Sequence, residues 1–307
     1  MKAPPFQASF LHPRYWPSWF GILLLWLLCL LPVAWLIVLG EGLGWLTGRL
    51  LKRRREVVRI NLRLCFREIA EARLEQLVDE HFKALGVGVF EAALAWWAPD
   101  WRLRHRGDVV GLEHFDAAMS DGHGVLLLTG HFTTLEIGAR FVALANRDFH
   151  VMYRPYSNRV FDYLMHRFRE RGSRLPALPR DELRPLVRAL REGHAIWYAP
   201  DQTLDPKHSV FAPFFGVPAL TITATSRLAQ LGRAKVVPFF PSRANGRWRV
   251  TFLPALEDFP GRDEGADAAR VNAVLEEGVR MAPAQYFWVH RRFKHQPPGA
   301  PDVYAER

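Results

Sequence analysis

Cysteine is scarce in this sequence, whose 307 residues include only Cys29 and Cys65. Cys29 lies inside a long apolar run, whereas Cys65 lies in a basic stretch with a helical pattern. Two cysteines in such different surroundings are not expected to pair, which excludes a fold held together by disulfides. The composition therefore fits a reducing, cytoplasmic environment for most of the chain.

The motifs of several common enzyme classes are also missing. There is no G-x-S-x-G segment, so the chain offers no obvious serine nucleophile of its own. There is no H-E-x-x-H segment and no cluster of cysteine and histidine, so no metal site is predicted. The GEGLG segment at 40–44 follows an apolar run rather than a strand, so it is not interpreted as a dinucleotide loop, and no cofactor is predicted.

Acidic residues are outnumbered, with 31 Asp and Glu against 41 Lys and Arg, which gives a formal net charge of +10. Such an excess favours anionic partners, namely nucleic acid, acidic proteins or phosphorylated lipids. No recognisable basic-aromatic module is present, so nucleic acid is not a predicted partner. The chain is 49% apolar with 11 Trp and 21 Phe, which is rich for a freely soluble protein.

Charge is absent altogether from Trp19 to Gly40. As a helix rising ~1.5 Å per residue, this run would cross the ~30 Å hydrocarbon layer of a bilayer, so the sequence predicts a transmembrane helix over 19–40. Trp16 and Trp19 lie at one end, as interfacial aromatic residues do, and Pro32 predicts a kink. The run is too long for a cleaved signal peptide, whereas a buried or interfacial helix stays open as an alternative.

The distribution of basic residues predicts the orientation of this helix. Only Lys2 and Arg14 precede the run. Because basic residues accumulate on the cytoplasmic side, the rest of the chain is predicted to lie there. The predicted organisation is an N-terminal segment at 1–18, a transmembrane helix at 19–40 and a cytoplasmic-facing domain at 41–307. The basic residues that follow the run are Arg49, Lys52, Arg53, Arg54, Arg55 and Arg59.

After Pro99 short apolar runs alternate with segments of helical pattern. Continuously apolar strands are typical of a sheet that is buried on both faces. The sequence therefore predicts an α/β domain with a mostly parallel central sheet flanked by helices, with an antiparallel edge. The predicted strands are VLLL (125–128), HVMY (150–153), AIWYA (195–199), KVVPFF (235–240) and WRVTFL (248–253).

The segment VLLLTGHFTTLEIGAR carries the strongest chemical signal. A buried strand ends at Thr129, Gly130 permits a sharp turn, and His131 follows at the strand end, where α/β sheets bind their ligands. In the catalytic interpretation Glu136 accepts a hydrogen bond from one ring nitrogen of His131, and the other nitrogen is a general base. In the structural alternative Thr133 and Glu136 form a helix capping box.

Further polar residues are expected at the same edge of the sheet. YRP (153–155) brings Arg154 there, and APDQ (199–202) brings Asp201 and Gln202. For Arg154 and Asp201, a structural ion pair or loop cap is the alternative to substrate contact.

An aromatic segment follows these blocks, VFAPFFGVPALT (210–221). It is too apolar for an ordinary surface loop. Its side chains Phe211, Phe214 and Phe215 are candidates to line an acyl-chain groove or to enter a bilayer. Ordinary core packing is the alternative.

The order of these blocks resembles the lysophospholipid acyltransferase-like superfamily, whose signature is H-x-x-x-x-D/E. More closely it is similar to the late acyltransferases of lipid A biosynthesis, in particular their lauroyl-transferring branch. The resemblance runs nearly end to end, and AWWAPD and HRRFK are its most specific parts. The similar segments are FLHPRYW (10–16), KRRREVVRINLRLCF (52–66), AWWAPD (95–100), HFTTLEIGAR (131–140), YRP (153–155), WYAPD (197–201) and QYFWVHRRFK (285–294).

The resemblance implies transfer of a fatty acyl group from acyl carrier protein to a hydroxyl of a Kdo-modified, tetra-acylated lipid A precursor. It implies a single-pass protein of the cell inner membrane with its domain on the cytoplasmic side. His131 would be the base and Glu136 its orienting partner, with Arg154, Arg169, Arg171 and Asp201 as substrate contacts. A sister enzyme that transfers myristoyl, palmitoleoyl or another chain, or acylates a different lipid, is the nearest alternative. A catalytically idle membrane scaffold is the alternative from another class.

Overall fold

The computed structural model describes residues 5–202 and 206–305, and the side chains of residues 171 and 172 lie outside that description. The apolar run folds as two helices, α1 (Trp16–Cys29) and α2 (Val33–Leu50), so the single helix predicted over 19–40 is wrong. Pro32 has no N–H to donate, and the chain turns there instead of only kinking. The Arg102 guanidinium donates to the carbonyls of Cys29 and Leu31, which satisfies acceptors that the break frees.

Three further helices precede the sheet, α3 (Lys52–Cys65), α4 (Glu71–Trp97) and α5 (Asp100–Leu103). α2 lies along α4, and their backbones nearly touch: a Cβ added at Gly44 would lie 2.1 Å from the carbonyl oxygen of Phe82. Small residues permit such close approach between helices. Within the described residues α2 is the one helix long and apolar enough to cross a membrane, a test that buried core helices also pass.

A seven-stranded sheet forms the centre of the domain, in the order β1-β9-β8-β2-β5-β3-β4. Neighbouring strands are parallel except β8 and β9, so β1 and β9 form an antiparallel edge two strands wide. The predicted fold class is therefore confirmed. The strands, which include a separate β6–β7 hairpin, are β1 (Gly107–Val110), β2 (Val125–Leu128), β3 (His150–Tyr153), β4 (Leu178–Pro179), β5 (Ala195–Tyr198), β6 (Ser209–Phe214), β7 (Val217–Ile222), β8 (Lys235–Ala244) and β9 (Arg247–Phe252).

Helices cover both faces of this sheet, which is why its central strands are continuously apolar. Alternate residues of β2 divide between two hydrophobic clusters: Leu126 and Leu128 pack on one side, Val125 and Leu127 on the other. The remaining helices are α6 (Leu112–Ser120), α7 (Leu135–Leu144), α8 (Arg159–Ser173), α9 (Leu183–Arg191), α10 (Ala224–Gly232) and α11 (Glu264–Met281).

The segment HRRFK near the C-terminal end of the chain fixes the β6–β7 hairpin to the domain. Arg292 is buried and donates to the carbonyl of Leu220 at 2.7 Å and to Thr221 Oγ1 at 3.0 Å. It also donates to Asn272 on α11. This arginine therefore joins the hairpin to a helix that packs on the main sheet.

Candidate active site

Two parallel strands bring the principal polar residues together. β2 and β5 are paired with Leu128 opposite Tyr198. His131 and Asp201 each lie three residues beyond those paired positions. Because the two strands end at the same level, the loops that follow them meet, and the two side chains come into contact.

Asp201 holds His131 through two hydrogen bonds. Its Oδ2 accepts from the backbone N–H of His131 at 2.8 Å, and its Oδ1 lies 2.5 Å from Nδ1 of the imidazole. Asp201 is buried, whereas the His131 side chain is 34% exposed and lines a cavity. Asp201, predicted as a substrate contact, is therefore the partner that orients the histidine.

The pair is also electrostatically coupled. Burial acts to lower the pKa of His131, but the charge and hydrogen bond of Asp201 outweigh it, and the pKa is raised. Burial acts to raise the pKa of Asp201, but the charge of His131 and its hydrogen bonds lower it to about 2. Asp201 is therefore an ionised acceptor throughout the physiological pH range.

Glu136 has different partners from those that the sequence predicts. Its carboxylate accepts from Nε of Arg169 at 3.0 Å and from a second nitrogen of the same guanidinium. Trp96 Nε1 donates to its other oxygen at 3.3 Å. Among the described residues no hydrogen bond joins Glu136 to His131, so the predicted bond between them is wrong.

The capping-box interpretation of Glu136 is wrong as well. The N-cap of α7 is Thr134, one residue later than the motif requires, and its side chain donates to the carbonyl of Pro241 instead. Thr133 Oγ1 has no hydrogen-bond partner among the described residues. Glu136 instead ties α7 to Arg169 on α8 and to the tryptophan of AWWAPD on α4.

A cavity of about 1020 Å³ opens at this edge of the sheet. Its polar wall includes five of the residues predicted from the sequence, and its apolar wall comes from strands β3 and β5 and from helices α9 and α10. The predicted residues that line it are His131, Glu136, Arg154, Arg169 and Gln202. Arg171 lies outside the residues whose side chains are described.

The three phenylalanines proposed for an acyl groove are not part of this cavity. Phe214 is fully buried between Tyr286 and Phe293, and Phe215 packs on Phe66. Phe211 is 40% exposed on the hairpin. Phe214 and Phe215 are core residues of a β-hairpin, as in the alternative interpretation, whereas entry of the exposed Phe211 into a bilayer stays a prediction.

Several lining residues were not predicted from the sequence. Trp96 stacks face to face on Phe168, with ring centroids 5.2 Å apart. Arg180 follows β4, a strand of only two residues that carries no periodic signal, and Arg227 lies on α10. The AWWAPD segment was the available signal for Trp96, since a tryptophan pair before the sheet has no obvious role in a surface linker.

Fold and cavity together define a class of protein: an α/β domain in which a carboxylate-oriented histidine opens onto a large cavity with both cationic and apolar walls. Such a site suits the activation of a hydroxyl on an anionic amphiphile.

Comparison with known proteins makes this class specific. The model of the bacterial lipid A biosynthesis acyltransferase family matches residues 3–295, and the chain belongs to that family. It is 40% identical to the lipid A biosynthesis lauroyltransferase of Escherichia coli strain K12 over 304 residues, 98% of this chain and 99% of that protein. It is 37% identical to the palmitoleoyltransferase of the same strain (97% and 98% covered) and 34% identical to its myristoyltransferase (99% and 95% covered).

Proposed function

We propose that this protein transfers a fatty acyl group from acyl carrier protein to a hydroxyl of a Kdo-modified, tetra-acylated lipid A precursor, with His131 as the general base. The observation that carries the proposal is the contact between Nδ1 of His131 and buried Asp201, in a chain of the lipid A acyltransferase family. The ionised carboxylate accepts a hydrogen bond from Nδ1–H, which keeps the proton on Nδ1 and leaves Nε2 as the basic nitrogen.

The proposed reaction needs no acyl-enzyme. Nε2 removes the proton of the acceptor hydroxyl while the hydroxyl oxygen attacks the carbonyl carbon of the thioester. The tetrahedral intermediate then collapses as the carbon–sulfur bond breaks, and the imidazolium returns the proton to the departing thiolate. The products are a new ester on the acceptor and the free thiol of the carrier protein. This scheme agrees with the lack of a serine elbow in the sequence.

The arginines of the cavity suit a phosphorylated substrate. Arg154, Arg180 and Arg227 all line it. A guanidinium binds phosphate oxygens in a bidentate manner and keeps its charge at all physiological pH values. We assign these three arginines and Gln202 to binding the phosphate groups of the two substrates, the acceptor and the phosphopantetheine arm of the donor.

Glu136 is proposed to position Arg169 rather than His131. The carboxylate holds the guanidinium at the cavity wall, where the charge of Arg169 acts to lower the pKa of His131 and so opposes Asp201. The charge of Arg169 therefore offsets part of the rise in the pKa of His131 that Asp201 causes.

The net positive charge of the chain supports the proposed acyl donor and the proposed location at a membrane. The excess of 41 basic over 31 acidic residues favours an acidic carrier protein and anionic lipid headgroups. We propose attachment to the cytoplasmic face of the cell inner membrane, where such a precursor lies. A single membrane span is the simplest attachment, but the packing of α1 and α2 favours a different one.

The transferred chain is proposed to be lauroyl, after the relative that shares 40% identity. Relatives named for palmitoleoyl and myristoyl transfer are 37% and 34% identical, so a sister specificity is the second candidate. The apolar wall of the cavity, which includes Met152, Trp197 and Leu228, offers space for an acyl chain.

Mass spectrometry tests the proposal. A tetra-acylated, Kdo-modified precursor is incubated with the purified protein and a panel of acyl carrier protein thioesters that differ in chain length. We expect a penta-acylated product, formed fastest with the lauroyl donor. A product that forms fastest with another chain replaces only the chain assignment, whereas no product with any donor in the panel would contradict the proposed reaction. The Asp201→Asn variant serves as the matched control.

A further inference from the structure

Helices α1 and α2 contact the catalytic domain at several points along their length, through hydrogen bonds and close helix packing. Near the start of α1, Ser18 Oγ accepts a hydrogen bond from Asn158 at 2.8 Å. Asn158 is the N-cap of α8 and directly follows Tyr156 and Ser157, which line the cavity. The beginning of the apolar run therefore lies beside the cavity and not a membrane thickness away from it.

The middle of the apolar run is also hydrogen-bonded to the catalytic domain. Arg102 of α5 donates to the carbonyls of Cys29 and Leu31. In a single span over 19–40 these carbonyls would lie near the bilayer centre, where an arginine costs about 2.5–3.5 kcal/mol or more. The flanking residues Asp100 and Arg104 would be drawn in with it. The turn at Pro32 therefore contacts the polar domain, and it is not the midpoint of a membrane helix.

α2 is held along its own length by α4. A Cβ added at Gly86 of α4 would lie 2.1 Å from the carbonyl oxygen of Gly40 and 2.5 Å from the backbone nitrogen of Gly44. α4 belongs to the catalytic domain and exposes Asp79 and Lys83. Since α2 cannot enter a bilayer deeply without α4 and these charges, it is a helix of the domain.

The length of α1 and the packing of α2 also argue against a membrane span. α1 has 14 residues, so at ~1.5 Å per residue it is ~21 Å long, short of the ~30 Å hydrocarbon layer. α2 is long and apolar enough to cross, but it is the helix packed along α4. α1 is therefore too short to cross a bilayer, and α2 could cross only by leaving α4 or by drawing it into the lipid.

The outer face of both helices is nevertheless strongly apolar. Large side chains that are 40–70% exposed there include Phe20, Leu24, Leu27, Trp35, Val38 and Leu46. The Arg49 guanidinium lies 4.1 Å over the ring of Trp45 at the end of this face. Exposed Lys52 and Arg54 follow it. An extended apolar surface with a basic rim matches the interface of a bilayer that carries anionic headgroups.

We infer that the protein is monotopic. The outer faces of α1 and α2 dip into the cytoplasmic leaflet of a lipid bilayer, neither helix crosses it, and residues 5–15, which precede α1, lie on the same side as the catalytic domain. The cavity opens beside the start of α1, so an amphiphilic acceptor reaches His131 sideways from the leaflet. The lateral entry rests on the proposed function, whereas the topology does not.

Cysteine labelling tests the topology without any need for activity. Cys29 and Cys65 are buried, so they give little background. Gln7→Cys places a thiol on the exposed segment before α1, and Arg262→Cys places one on the exposed surface of the domain. A membrane-impermeant maleimide is applied to intact spheroplasts and to inverted membrane vesicles. We expect both cysteines to react only in the inverted vesicles.

Labelling of Gln7→Cys from outside intact spheroplasts, with Arg262→Cys protected, would show a crossing and overturn the inference. A second measurement uses the Ser18 and Asn158 contact in native membranes. The double variant Ser18→Cys/Asn158→Cys is expected to be joined by a short bismaleimide, whereas in a crossing helix the two residues would be about 30 Å apart and would not react. Loss of acyl transfer with unchanged labelling would count against the proposed function alone.

Discussion

The carboxylate of Asp201 binds one residue twice, at the backbone N–H of His131 (2.8 Å) and at Nδ1 of its ring (2.5 Å). The first contact fixes the loop after β2, and the second fixes the rotation and tautomer of the imidazole. Both depend on the parallel register of β2 and β5, which places the two loops at the same level. Catalysis is therefore expected to be sensitive to Asp201 in its charge as well as in its shape.

Asp201→Asn tests that charge through the pH dependence of the reaction. The raised pKa of His131 means that its basic form appears only as the pH rises through a value above the ordinary ~6.5. Without the negative charge the pKa falls, so the rising limb of kcat/KM should move to lower pH. The plateau should drop by about 10²–10⁴-fold because the oriented tautomer is lost. A pH–rate series of both proteins gives both quantities, and an unmoved limb would contradict a direct coupling.

Removal of the histidine separates catalysis from stability. His131→Ala should abolish nearly all turnover and also lower the free energy of unfolding by about 1–3 kcal/mol, because a buried carboxylate loses its partner. His131→Gln should be equally inactive but more stable, since an amide can still donate to Asp201. Thermal denaturation beside activity assays distinguishes the two. Turnover in either variant above a tenth of the original would exclude His131 as the base.

The ion pair of Glu136 and Arg169 calls for a double-mutant cycle. Glu136→Gln and Arg169→Gln should each reduce acyl transfer by about tenfold, or ~1.4 kcal/mol of transition-state stabilisation. The double variant should be no worse than the poorer single variant, because both act through one guanidinium position. Asp116→Asn, which breaks a pair with Arg147 away from the cavity, is the control and should retain full activity. Additive losses would mean that Glu136 and Arg169 act separately.

How much of this site the sequence could predict is clear from particular residues. The strand over 125–128 and the strand-end position of His131 were predicted correctly, since both depend on local pattern. The choice between Glu136 and Asp201 as its partner was not local: it depends on which strands are neighbours and in what register, information that no short window contains. The β6–β7 hairpin was missed for a related reason, because its prolines and aromatic residues obscure the alternation of strands.

The N-terminal helices show the same limit. The apolar run from Trp19 to Gly40 was recognised, but Pro32 was predicted only to kink one helix, whereas it separates two. Composition alone could not show that Arg102, distant in sequence, hydrogen-bonds the carbonyls at the turn. Nor could it show that α2 packs closely against Gly86 of α4. Helix packing on a domain and insertion into lipid demand similar apolar residues, so the distinction depends on tertiary contacts.

The effect of ionic strength on KM tests whether acyl carrier protein is the acyl donor. Exposed charges are screened over ~10 Å at 0.1 M salt, so the KM for an acidic carrier-protein thioester should rise as salt is added. The corresponding coenzyme A thioester, which lacks the protein surface, should be a poorer donor with a weaker salt dependence. Steady-state kinetics in sodium chloride, with sucrose of equal osmolality as the control, measures the difference. Equal KM values and equal salt effects for both donors would contradict recognition of the carrier protein.

The contact between α2 and α4 can be tested with two glycines on the same helix. Gly44→Ala places a Cβ 2.1 Å from the carbonyl oxygen of Phe82, so the helices must separate, and such overpacking costs about 1–3 kcal/mol. Gly42→Ala, the matched control, meets nothing within 4 Å and should leave stability unchanged or raise it by up to about 1 kcal/mol through helix propensity. Thermal denaturation in detergent should therefore separate the two variants clearly. Equal melting temperatures would mean that α2 leaves α4 when the protein is bound to lipid or detergent, and the fastening of the apolar helices to the catalytic domain would have to be abandoned.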